Sequence, residues 1–206
     1  MILRPAAYSR LCKLHALSGV FPLGAFLVWH LAVNFTAVFG AGVYDRTSSA
    51  LQRLPLVVAA EVLLIGAPIA LHVAIGALIA NTDRALRRER PHRGPRLTAA
   101  QRASGAILLA YVFYHVWSVR LTPEVRHAPG GLHAAMGHHL ADPGVLPFYA
   151  LGVIAACVHF GVGVYDVANR FRILGAPAAP ALAGRVAIGA SGALAAIGLV
   201  TLAGFR

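Results

Sequence analysis

The sequence predicts an all-α integral membrane protein with five transmembrane helices. Three observations carry that prediction: the chain is 58% hydrophobic and only 12% charged, its mean hydropathy is +0.70, and its apolar residues gather into five long runs separated by polar or Gly/Pro-rich stretches. A soluble domain of 206 residues has no use for so much apolar surface. A formal net charge of +11 invites a nucleic-acid reading. The basic residues, however, lie between the apolar runs rather than on a soluble face, so membrane topology explains them and nucleic acid is not expected as a partner.

Each run approaches the roughly 20 residues that a membrane helix needs. The spans are Leu17–Phe39, Pro55–Ile79, Ser104–Val119, Val145–Val167 and Leu182–Phe205. The third is short, and its flanks can extend it. Together they form one transmembrane domain over residues 1–206, with no stretch left for a soluble domain. Arg4, Arg10 and Lys13 precede the first run as in a signal peptide. That run is longer than the roughly 7–15 residues of a signal-peptide core, so it reads as an uncleaved span. Pro22 and Pro68 fall inside spans one and two, where membrane helices tolerate kinks. The fifth span is rich in Ala and Gly, has no histidine, and suits close helix packing.

With the N-terminus on the cytoplasmic side, only Arg46, Arg53, Arg120, Arg126 and Arg206 of the 18 lysines and arginines fall outside. The positive-inside bias therefore places the N-terminus in the cytoplasm and the C-terminus outside. Cys12 and Cys157 form neither CxxC nor CxxCH, which argues against a disulfide framework and against covalently attached haem.

Spans one to four each carry one deep histidine: His30, His72, His115 and His159. An ionisable group inside an apolar span is costly unless it has a use. At 1.5 Å per residue, His30 and His115 lie roughly 20 and 17 Å from the cytoplasmic ends of their spans, and His72 and His159 roughly 10–12 Å. The four sort into two levels with two members each. A zinc site would gather three or four ligands at one level, and a proton relay would mix histidine with carboxylates. Two histidines from different helices at one depth suit the two axial positions of a haem iron, and two levels imply two b-type haems. The first four helices would then form a haem-binding bundle.

His72 and His159 are followed four residues later by Gly76 and Gly163, on the same helix face, where a missing side chain leaves room for a macrocycle. Arg10, Lys13, Arg102 and Arg170 stand where they can pair with haem propionates, although solvated cytoplasmic charge accounts for any one of them equally well. The outer stretch with His127, His133, His138 and His139 fits no metal-ligand spacing and reads as a solvated loop. Trp29, Tyr114 and Trp117, beside the histidines, read as haem-pocket or interfacial packing.

The segments LHALSGVFPLGAFLVWHLAVN (14–34), LPLVVAAEVLLIGAPIALHVAIG (54–76), SGAILLAYVFYHVWSVR (104–120) and LPFYALGVIAACVHFGVGVYD (146–166) resemble the single-chain, five-helix, di-haem cytochrome b subunit of succinate:menaquinone oxidoreductases and fumarate reductases. The resemblance covers four spans and all four histidines. It implies that His72 and His159 hold a proximal haem near the cytoplasm and His30 and His115 a distal one. It implies two further subunits on the cytoplasmic face of a bacterial cytoplasmic membrane, a flavoprotein that holds the succinate site and an iron–sulfur protein. It also implies electron exchange with a membrane quinone, menaquinone by preference.

Two further readings go with the resemblance. Glu61, near the outer end of span two, would exchange protons during quinone chemistry near the distal haem, with a structural hydrogen bond as the equal alternative. His15 and Ser18, at the cytoplasmic mouth of span one, would contact a propionate or a quinone, a helix-start polar cluster being simpler. The rival readings are the cytochrome b of a hydrogenase or formate dehydrogenase, which the whole-chain match disfavours, and a haem-free transporter or structural anchor. Transporters show repeated halves and broken helices, and this chain shows a histidine ladder instead.

Overall fold

A computed structural model describes residues 5–86, 94–122, 130–173 and 179–206. The basic run from Arg87 to Arg93, together with Arg4, Arg126 and His127, lies outside the described residues. Among those described there is no β-strand, and five helices are long and apolar enough to cross a membrane: Ala6–Phe39, Val57–Asp83, Pro95–Leu121, Val145–Arg170 and Ala181–Gly204. The chain is therefore a multi-pass membrane protein. A hydrocarbon solvent offers no hydrogen bonds, so the backbone closes its own as helix. Phe21, Leu64, Phe113 and Ile188 are among the large apolar side chains left on the outer surface, as expected for helices that face lipid. Trp29 and Trp117 are exposed too, which makes them surface residues of the spans.

The first span is α1 (Pro5–Ser18), a π-helical turn (Gly19–Leu23), α2 (Gly24–Phe35) and a short 3₁₀ turn (Thr36–Phe39). Gly40 ends it at φ +103°, a conformation that other residues avoid. An extramembrane helix, α3 (Ala41–Gln52), follows, and the second span comprises α4 (Val57–Glu61), a π turn (Val62–Gly66) and α5 (Ala67–Leu86). Pro22 lies within the first π turn and Pro68 just after the second. Proline has no N–H to give the carbonyl four residues back, and the ladder widens locally instead of breaking. The third span, α6 (Pro95–His115) with a π turn (Val116–Leu121), starts nine residues before the apolar run because its polar first turns are also helical. The outer stretch expected to be a solvated loop contains a helix, α7 (Gly131–Leu140). Its apolar residues recur at helical spacing, so that Met136 and Leu140 are buried. The turn Asp142–Gly144, in which Gly144 N–H donates to Asp142 Oδ1 at 2.8 Å, leads into α8 (Val145–Arg170), and α9 (Ala179–Gly204) closes the chain.

The chain forms two compact units. One comprises Met1–Leu27, Val58–Ala103 and Val158–Ser191. There Cys12, Ile75 and Ile79 form a small core with Tyr8 and Leu11. Asp83, buried beside it, accepts from the Tyr8 hydroxyl and from Arg102 at 3.1 Å, joining α5 to α1 and α6. The other unit comprises Val28–Val57, Ser104–Cys157 and Gly192–Arg206. Its larger core holds Tyr44, Met136, Leu140, Tyr149, Val153, Cys157, Leu202 and Phe205. There α7 is fastened by its own backbone and by a ring: His133 N–H donates to Asp45 Oδ1 at 2.9 Å, and His133 Nε2–H to the Gly204 carbonyl at 3.0 Å.

Small residues set the helix contacts, as expected of packing in lipid. A Cβ at Gly152 would enter the ring of Tyr111. Gly152→Ala should therefore lower stability by about 1–3 kcal/mol through overpacking. A thermal melt in detergent would show it as a lower midpoint, and an unchanged midpoint would contradict the contact.

Candidate functional site

The four histidines assemble as two pairs, one pair in each compact unit. His72 of α5 and His159 of α8 have ring centroids 6.0 Å apart with planes at 81°. His30 of α2 and His115 of α6 have centroids 5.7 Å apart with planes at 84°. Two imidazoles on opposite sides of one metal ion would have this spacing. A bond of about 2 Å on each side, plus roughly 1 Å from nitrogen to ring centre, separates the centroids by about 6 Å.

Neighbouring groups decide which ring nitrogen each histidine can turn to a metal. Ser18 Oγ–H donates to the His15 carbonyl at 3.1 Å, so its contact of 2.9 Å with His72 Nδ1 is one in which His72 Nδ1–H donates. His159 Nδ1–H donates to the Gln101 carbonyl at 3.2 Å. In the other unit Ser118 Oγ–H donates to the His115 carbonyl, Tyr149 Oη–H to Ser118 Oγ, and His115 Nδ1–H to Tyr149 Oη, each at 3.3 Å. A carbonyl can only accept, and that fixes the direction around the loop. His72, His159 and His115 thus carry their proton on Nδ1 and keep the lone pair on Nε2. His30 reaches the same state from the other side, since Asn34 Nδ2–H donates to its Nε2 at 3.4 Å and to its carbonyl at 2.8 Å. Hydrogen bonding that fixes tautomer and ring orientation is what metal-ligating histidines need from their surroundings.

A third imidazole stands beside the first pair. His15, His72 and His159 bring their ligand atoms within 4.8 Å of one another, which by distance alone would admit a three-histidine metal centre. The ring geometry excludes it. His15 is stacked on His72 at 3.9 Å with planes 16° apart. In-plane lone pairs of stacked rings run parallel and cannot converge on an ion about 2 Å from both. His15 instead donates from Nδ1 to the His72 carbonyl at 3.2 Å.

The contact is reciprocal. A Cβ on Gly19 would lie 2.8 Å from His72 Cε1, and a Cβ on Gly76 would lie 2.8 Å from His15 Cε1. Each helix carries histidine and glycine four residues apart, and each histidine occupies the room left by the other helix's glycine. The space at Gly76 expected to admit a macrocycle is thus taken by His15. At Gly163 the nearest neighbour of a Cβ would be Val20, at an ordinary 3.5 Å.

The remaining residues singled out in the sequence are spread over both units. Arg170 ends α8 with its Nε buried and without a hydrogen-bond partner among the described residues. Glu61 is half-buried at the end of α4, immediately before the π turn, and belongs to the unit that holds His72. Sequence reasoning missed Gln101, Ser118 and Tyr149. Asn34 and Ser118 carried a signal, because they follow His30 and His115 by four and three residues and so share their faces.

Five apolar helices, four of which each contribute one member of two histidine pairs with lone pairs on Nε2, define a helical membrane protein with side chains suited to metal-centred cofactors. The chain is 30% identical over 193 residues, 94% of its length and 95% of the relative's, to the succinate dehydrogenase cytochrome b558 subunit of Bacillus subtilis (strain 168). It belongs to the family of succinate dehydrogenase cytochrome b subunits, the membrane-anchor cytochromes b of succinate:quinone oxidoreductases. No family model matches the chain, and no solved structure matches it significantly.

The serine loops generate a test. Ser118→Ala leaves Tyr149 Oη–H without its acceptor and should cost about 1–3 kcal/mol. Histidine ¹⁵N spectra should then show His115 losing its single Nδ1–H tautomer. A His115 signal identical to the unsubstituted protein's would contradict the loop.

Proposed function

We propose that the chain carries electrons through two haem b groups, His72 and His159 being the axial ligands of one and His30 and His115 of the other. The observation that carries the reading is that both histidine pairs have the ring separation that two imidazoles sharing one iron would have. When bound, haem iron supplies reversible one-electron chemistry. The chain's own residues do the rest. Ser18, Gln101 and Tyr149 hold the Nδ1 protons and so direct Nε2 to the metal. Gln101 and Asn34 hold amide groups at the Nε2 atoms of His159 and His30, at 3.2 and 3.4 Å. These amides sit on rotatable side chains and can yield to a ligand. All four histidines lie within apolar spans, which in a bilayer would keep water from both pairs, and the buried Nε of Arg170 suits a haem propionate.

The whole chain acts as one transmembrane domain of an enzyme complex, in which a flavoprotein holds the succinate site and an iron–sulfur subunit docks on the cytoplasmic face. The N-terminus lies in the cytoplasm and the C-terminus outside a bacterial cytoplasmic membrane; the distribution of lysine and arginine supports that orientation. Electrons leave to, or arrive from, a membrane quinone, with menaquinone the preferred substrate. Glu61 exchanges protons with it, and His15 and Ser18 keep His72 in place.

The purified complex should give a reduced-minus-oxidised b-type spectrum and two haems per copy of this chain. His30→Ala and His159→Ala should each remove a different one of the two spectral components. A colourless folded preparation, or either variant retaining both components, would contradict the assignment. Glu61→Gln should slow quinone turnover severalfold with both haems bound, and unchanged turnover would leave Glu61 a structural role.

A further inference from the structure

Tyr149 of α8 is one of the most deeply buried large side chains, 2% exposed, and Ser118 beside it is buried too. Ring packing fixes the tyrosine without using its hydroxyl. It lies edge-on to Tyr111 at 5.4 Å and to His115 at 5.5 Å, while Tyr111 lies nearly flat on His115 at 5.4 Å. The hydroxyl itself accepts from His115 Nδ1–H and donates to Ser118 Oγ, each at 3.3 Å. A hydroxyl that gives its own proton away becomes the better acceptor, so the contact with Ser118 strengthens the one with His115.

The acceptors of the Nδ1 protons differ between the two pairs. His72 gives its proton to the Ser18 hydroxyl at 2.9 Å and His159 to the Gln101 peptide carbonyl at 3.2 Å. His115 gives its proton to a phenol. An axial imidazole carries more positive charge when its metal is oxidised, and a charged donor makes a hydrogen bond roughly twice as strong as a neutral one does. Each acceptor therefore favours the oxidised state of its own pair, by an amount that depends on its chemistry. Hydrogen bonds at this distance from the metal are among the groups that set a haem's potential.

We propose that Tyr149 is a positioning residue that holds down the reduction potential of the haem at His30 and His115, through the hydrogen bond it accepts from His115 Nδ1. The inference rests on the two-haem reading above and adds to it a group that sets one potential independently of the other. Ser18 and Gln101 belong to the other pair, so the two potentials can be moved separately.

The experiment is a spectroelectrochemical titration of the whole complex at fixed pH, following both b-type components. Tyr149→Phe keeps the ring and removes the acceptor. It should shift one component about tenfold toward the reduced form at a given applied potential, a rise in midpoint of about 59 mV for one electron. The other component should stay in place. The one that moves should be the one that His30→Ala removes. Ser118→Ala, which leaves the phenol but takes away the acceptor of its proton, should move the same component in the same direction by less. Ser18→Ala should raise the other component alone. An unmoved midpoint in Tyr149→Phe, or equal shifts of both components, would overturn the proposal. If Tyr149→Phe loses that haem, Ser118→Ala decides: a selective rise upholds the proposal, and an unmoved midpoint or a second loss of haem overturns it. A wild-type complex with fewer than two b-type components would instead overturn the two-haem reading itself.

Discussion

A neutral imidazole inside a membrane helix has one proton to give and one lone pair to offer, and the surrounding protein must dispose of the proton before the lone pair is useful. That constraint organises both histidine pairs. In each unit a serine gives its own hydrogen to a histidine carbonyl three residues back. The serine oxygen is then free to accept, directly from His72 in one case and by way of Tyr149 from His115 in the other. The same small device therefore occurs in both pairs, built from Ser18 on a neighbouring helix and from Ser118 on the same helix. Each hydrogen bond contributes only about 1 kcal/mol net, but leaving a buried donor unmade would cost more. The arrangement matters chiefly because it settles which nitrogen keeps its lone pair.

Much of this was legible in the sequence. Apolar run length gave the five spans, and counting depth at 1.5 Å per residue separated His30 and His115 from His72 and His159. The structure brings together those same pairs. What depth could not supply was azimuth. A helix face is set by neighbours as well as by periodicity, so nothing in the sequence indicated that His15 would stack on His72 or that Gln101 would meet His159. The extension of span three by its flanks was expected, but the helical start before span one was missed, because hydropathy registers solvent preference and not backbone conformation. For the same reason α7 was read as loop: its glycines and histidines lowered the apparent signal, although Leu132, Met136 and Leu140 recur at helical spacing.

The stacked pair of His15 and His72 also revises a sequence inference about glycine. Gly76 is small, as noted, but the partner that needs the room is an imidazole. Gly19, which the sequence did not single out, performs the matching task for His72. Close approach of the two helices and orientation of the His72 ring are thus one structural requirement. Enlarging either glycine would press on a histidine of the opposite helix.

The π-helical turns have a consequence for how the chain tolerates changes in length. Each holds about one residue more than an α-helical turn would need. Deleting one residue within Gly19–Leu23 would allow α1 and α2 to join as plain α-helix with both flanking faces nearly where they are now. The same deletion inside Gly24–Phe35, ahead of His30, would swing that ring by about 100° around the helix axis and away from His115. Within a single membrane span, then, a few positions can gain or lose a residue while their neighbours a turn away cannot.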